Sequence, residues 1–182
     1  MMTSISCLAR SLNHAYRIIQ RLRTSGVPGE HISVLALDFT NHGSVTADRD
    51  SILDEAALGK GTTGVIASTL GTLNGVGVIV VPGIGPIIAA GPILAQLDGA
   101  AAPQHVSGAI ERMGVPTDAA ASHEPRIAGG DVFIAVNSIS REQLGLARRA
   151  FEEAGADDIR DAMETAPPES SPHEAPDQAG ST

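Results

Sequence analysis

The stretch GTTGVIASTLGTLNGVGVIVVPGIGPIIAAGPILAQL, residues 61–97, carries no charged side chain between Lys60 and Asp98. About 20 apolar residues suffice for a helix to cross a bilayer, but Pro82, Pro86 and Pro92 interrupt the run. Proline lacks a donor and clashes with the preceding turn, whereas glycine accepts left-handed backbone. The sequence therefore predicts a helical hairpin with Pro82-Gly83-Ile84-Gly85-Pro86 as its tip. On the incoming arm Gly61, Gly64, Ser68, Gly71 and Gly75 recur at helical spacing, and Gly91, Ala95, Gly99 and Ala102 do so on the outgoing arm. Such seams let two backbones approach closely where no hydrophobic force drives helices together. Each interior glycine weakens a helix by about 1 kcal/mol relative to alanine, so the pattern implies close packing that offsets the loss. Contact with a membrane satisfies it, and so does burial inside a homo-oligomer.

The flanking sequence falls into two similar halves. Residues 5–9 read as a short strand, Ser11 as the cap of a helix through Leu12, Ala15, Ile18, Ile19 and Leu22, and Gly26 and Pro28 as its end. A β-branched strand follows at residues 32–37. The order returns near the other end. A strand at 132–136 precedes a helix capped by Ser140, with Leu144, Ala147, Ala150 and Phe151 at helical spacing; Gly155 stops that helix, and a weak edge strand starts at Ile159. Ser11 matches Ser140 and Gly26 matches Gly155 at one common offset. Two βαβ halves are the ingredients of an α+β ferredoxin-like sandwich. The expected organisation is residues 1–39 as the first half, 40–130 as a helical insertion holding the glycine-rich hairpin, 131–163 as the second half and 164–182 as a tail. Within the insertion, residues 48–58 have helical composition, residues 100–113 continue a helical pattern, and Thr117 is placed to cap a helix to about Glu124. The tail has too little apolar surface to offset its ordering entropy and is expected to be disordered.

Charge narrows the partners. Of the formal −9, nine acids from residue 152 onward face Arg160 alone, a net of −8, which leaves −1 for the remainder. A nucleic-acid binder needs a basic stripe to release counterions, so that class is excluded. Arg10, Arg17, Arg21 and Arg23 read as a solvated helix face. The lone Cys7 rules out an internal disulfide framework and reads as a small core residue. The first twenty residues offer no apolar signal-peptide core, so the expected location is cytoplasmic, with association to the inner face of the membrane through the hairpin. There is no tryptophan, and an aromatic membrane belt is missing.

The βαβ opening that ends near Gly26 and Ile32-Ser33-Val34, the tip Pro82-Gly83-Ile84-Gly85-Pro86 with Ala90-Gly91-Pro92, then Gly114-Val115-Pro116 and Gly129-Gly130 before a strand, together resemble the bacterial general stress protein family, also called heat-induced stress proteins. The resemblance spans residues 5–159, and the proline–glycine tip is its most specific part. It implies stress association and a non-enzymatic role, and it supplies no catalytic residues.

The residues themselves point to no reaction. His14, His31, His42, His105, His123 and His173 contain no pair at i, i+3 or i, i+4 that would aim two rings at one metal, and isolated polar histidines read as surface residues. A nucleophile beside a positioned base is not visible. Gly83-Ile84-Gly85 lacks the third glycine of a dinucleotide loop, since Ile88 stands there, and Pro82 and Pro86 remove backbone donors. No catalytic residue, cofactor or metal ligand is assigned. The expected function is a non-enzymatic, stress-associated protein that self-associates or meets a membrane through its hairpin; the alternative is a ferredoxin-like module that binds a small-molecule ligand or acts as a regulatory domain.

Overall fold

Along the first strand Ile5, Cys7 and Ala9 alternate with Ser4, Ser6 and Leu8, yet all six are buried. A strand buried on both sides needs cover on both faces of its sheet. The computed structural model describes residues 3–37, 76–98, 105–138 and 140–162. In chain order its elements are β1 (Thr3–Ala9), α1 (Leu12–Thr24), β2 (Ile32–Leu37), β3 (Val76–Val81), β4 (Gly85–Ala90), α2 (Pro92–Asp98), α3 (Val106–Arg112), α4 (Thr117–Ala128), β5 (Val132–Ser138), α5 (Arg141–Glu153) and β6 (Asp157–Asp161). The fold is α+β, with one antiparallel six-stranded sheet ordered β3-β4-β2-β5-β1-β6.

The two βαβ halves form because their helix signals are local. Ser11 Oγ accepts from the His14 N–H at 3.2 Å, and Ser140 Oγ from the Gln143 N–H at 3.4 Å, so each helix starts at a hydroxyl cap. Both end alike. The Val27 N–H donates to the Leu22 carbonyl and the Gly26 N–H to that of Arg23; in α5 the Ala156 N–H reaches Phe151 and the Gly155 N–H reaches Glu152. These paired bonds need left-handed backbone at the residue after the cap, supplied by Gly26 (φ +91) and Gly155 (φ +68). On one face of the sheet α1 and α5 cover Ile5, Cys7, Val34, Ile134 and Val136. On the other, α2, α3 and α4 cover Leu8, Leu35, Ile87, Phe133 and Ala135.

The central segment departs from expectation. Residues 76–90 are not helical: they form the antiparallel pair β3–β4, and β4 adds to the edge of β2. Val76, Val78, Ile79, Val80 and Val81, then Ile87 and Ile88, are β-branched and stiff at χ1, which suits a pleated surface better than a helix. None of the expected seam residues lies within 76–90. Among the described residues the outgoing arm is helical only as α2, after Gly91. In the next segment the helix is α3, shorter than expected among the described residues. Thr117 is not a cap but the first residue of α4, which follows extended Pro116 and runs past Pro125 to Ala128. The expectations of a helix at 48–58 and of a disordered tail fall outside the described residues. Among the described residues, no helix is long and apolar enough to cross a membrane.

Candidate functional site

The tip is a tight turn joining two strands. The Ile84 N–H donates to the Val81 carbonyl at 3.1 Å, and Gly83 lies at φ +83. Proline second and a positive-φ glycine third are what a type II turn requires, and Val81-Pro82-Gly83-Ile84 supplies them. Gly85 and Pro86 then open β4. Pro82 and Gly83 are exposed, and Ile84, Gly85 and Pro86 are half-buried.

β3 pairs with β4 at all six positions without a register shift. On its other side no strand lies beside it among the described residues, so one row of its backbone donors and acceptors has no strand partner among them. Val80, 68% exposed, is the one large hydrophobic side chain left uncovered among the described residues.

The hairpin is anchored at Gly91. At φ +81 it passes so close to β2 that a Cβ would lie 2.0 Å from the Ile32 carbonyl oxygen. Beside it Ser33 Oγ accepts from the Ile93 N–H at 3.1 Å, fixing the first turn of α2 onto β2, with Ile93 and Leu97 buried beneath. Gly91 is thus small for the sake of a backbone crossing, not a helix seam, and Ala95 is exposed on α2. The structure does not bring these two into one seam. Gly61, Gly64, Ser68, Gly71, Gly75, Gly99 and Ala102 lie outside the described residues, as does His42.

A second feature was missed by reading isolated histidines as surface residues. His123 is completely buried, and its Nε2 lies 2.8 Å from Asp158 Oδ2. The signal was present: Ala119, Ala120, His123 and Ile127 recur on one face of α4, and all four are buried. The ring tilts against Phe133 with centroids 5.7 Å apart. Asp158 reaches it because β6 bulges against β1. Ser6 pairs with Arg160 and Leu8 with Asp157, so β6 spends one extra residue there, and Asp158 sits at φ +47. Arg160 Nε donates to the other Asp158 oxygen at 2.6 Å. Next to it, Arg10 grips Asp157 with two bonds of 2.6 and 2.8 Å, and Arg126 bridges Asp131 and Asp157.

These contacts set the protonation states. Burial pushes the His123 pKa below 6.5, against the pull of Asp158. Burial would raise Asp158, but the hydrogen bonds from His123 and Arg160 leave its carboxyl below the usual 3.8. The Arg10 bonds hold Asp157 low too. With Nε2 on Asp158 and Nδ1 buried without a protein partner, neither ring nitrogen meets solvent, and the pair ties α4 to the edge strand. Burial pushes the Cys7 thiol up, and Cys7 lies under the opposite helical layer. No group of three or more metal-ligating side chains is found among the described residues.

A histidine whose folded pKa is depressed adds stability above its unfolded value near 6.5 and loses it as pH falls toward the folded value. The melting temperature should therefore start to fall below about pH 6.5, well before the carboxylates, held below 3.8, titrate. His123→Asn should flatten that first descent and keep the second. Parallel thermal melts of the two proteins check it; equal slopes between pH 7 and pH 5 would contradict the assignment.

Comparison with family models, curated proteins and solved structures gave no match.

Proposed function

We propose that this chain is a non-enzymatic, self-associating module of ferredoxin-like topology that uses the open edge of the β3–β4 hairpin as its assembly surface. The ferredoxin-like reading is supported by the order β2-β5-β1-β6, in which two βαβ halves interleave with α1 and α5 on one face. In that reading the segment between β2 and β5 is an insertion whose described residues widen the sheet by two strands and lay three helices on its second face. The stress association implied by the family resemblance is part of the same proposal.

One observation carries the assembly reading: an uncharged six-residue strand with a side that no described strand pairs, and an exposed Val80. Long apolar edges invite pairing with another chain. Burying one valine on each of two copies contributes about 3 kcal/mol or more, so a charge at that position should weaken association roughly a hundredfold. Val80→Lys, compared with the unaltered protein by sedimentation velocity, should shift assemblies toward single chains that keep the wild-type circular dichroism, since the side chain is exposed within one chain. A wild-type protein monomeric at high micromolar concentration, or a variant that assembles equally well, would contradict the reading. Lipid is the other apolar environment the tip and Val80 would suit, and co-flotation with anionic vesicles that Val80→Lys abolishes would favour it over self-association.

The small-molecule reading has one observation in its favour. Ser6 Oγ, His123 Nδ1 and Asn137 Oδ1 are buried without protein partners, and strand alternation puts Ser6 and Asn137 on the α2–α4 side with Leu8 and Phe133. A polar compound that raises the melting temperature of the wild type but not of Ser6→Ala would support it.

A further inference from the structure

We infer that β3 pairs with β3 of a second copy, antiparallel about a twofold axis, and that the assembly closes at two chains. This rests on the self-association reading above and adds the partner strand, the symmetry and the stopping point. The two ends of the sheet differ in chemistry. β6 reads Asp157-Asp158-Ile159-Arg160-Asp161 and is bulged against β1. Its carboxylates are engaged by Arg10 and Arg126, by His123 and Arg160, and by Arg148 at 3.2 Å. Charges and bulges are how natural sheets blunt an edge. β3 has neither: no charge, no proline within it and no register shift against β4.

That asymmetry chooses the pairing. A β3-to-β6 join would be head-to-tail, would leave one edge of each kind free, and would propagate into a filament. It would also seat a regular apolar strand on an interrupted, acidic ladder. Among the described strands, a β3-to-β3 join uses both bare edges and leaves only β6 at either end, so growth stops at two.

Twofold symmetry further limits the register. For one sheet to continue across both copies, the axis must stand perpendicular to it, which keeps each helical layer on its own side. Residues opposite each other across an antiparallel ladder share a face, and faces alternate along a strand. The numbers of paired residues must then add to an even sum. Centred pairing of Val76–Val81 allows two registers. Either position 78 opposes its own copy and Val80 opposes Val76 of the second copy, or position 79 opposes its own copy and Val80 opposes Val78. Both cover Val80 with an apolar strand.

Sedimentation equilibrium of the full chain over a thousandfold concentration range tests closure, and Val78→Cys and Ile79→Cys treated with a short bifunctional thiol reagent test the symmetry, the native Cys7 being buried. The expected result is a mass that levels off at two chains, with at least one cysteine variant cross-linking to itself. A mass that keeps rising, yet is still reduced by Val80→Lys, would overturn closure while leaving association through β3 intact. A stable dimer with neither variant cross-linked would overturn the twofold β3 pairing. A single chain at every concentration would overturn this inference and the reading beneath it together.

Discussion

Gly91→Ala is expected to be the most damaging single-atom addition in the described residues, costing about 4 kcal/mol or more of folding stability. Two separate penalties combine. Left-handed backbone costs an L-residue roughly 1–2 kcal/mol, and Gly91 lies at φ +81. The larger penalty is steric, because the new Cβ would fall 2.0 Å from the Ile32 carbonyl oxygen and 3.2 Å from Ser33 Cα. Neither atom can yield, since both belong to the backbone of β2, which is paired on one side with β4 and on the other with β5. Gly26→Ala isolates the first penalty. At φ +91 it shares the conformation but has nothing within 4 Å of its would-be Cβ, so it should lose only about 1–2 kcal/mol. Urea unfolding of both variants checks the contrast, and equal losses would mean that the β4–α2 corner relaxes instead of clashing.

Phe133→Ala should cost about 3–5 kcal/mol, the range for removing a buried phenylalanine. Phe133 is wholly buried near the start of β5, pairs across the sheet with Leu8 and Leu35, and stacks at a tilt on the His123 ring. The cavity would open beside a histidine that already has one buried unpartnered nitrogen, so water entry should raise its pKa toward the ordinary value. Phe133→Leu, which keeps most of the volume, should recover more than half of the lost stability. A melting temperature unchanged in Phe133→Ala would place the core elsewhere.

What could be read without coordinates was what local chemistry dictates. Ser11 and Ser140 each cap a helix by reaching a backbone N–H three residues on, and Gly26 and Gly155 end those helices through left-handed backbone. These signals need no tertiary context, and both βαβ halves were legible from them. The hairpin was half legible: Pro82-Gly83 marked the turn, but the helical arms expected on either side of it are absent from residues 76–90, where β-branched density makes strands. Gly91 looked like one more seam residue because its reason for being small, the Ile32 carbonyl, is remote in sequence. His123 and Asp158 lie 35 residues apart and meet only because β6 bulges. No spacing rule records that.

The proposed assembly surface is the outer side of β3, where another copy of the chain would bind. Amide hydrogen exchange, followed from low to high protein concentration, tests it most directly. Protection across residues 76–81 should rise with concentration while the amides of Asp157–Asp161 exchange at a constant rate. Exchange across residues 76–81 that is the same in dilute and concentrated samples would contradict the account.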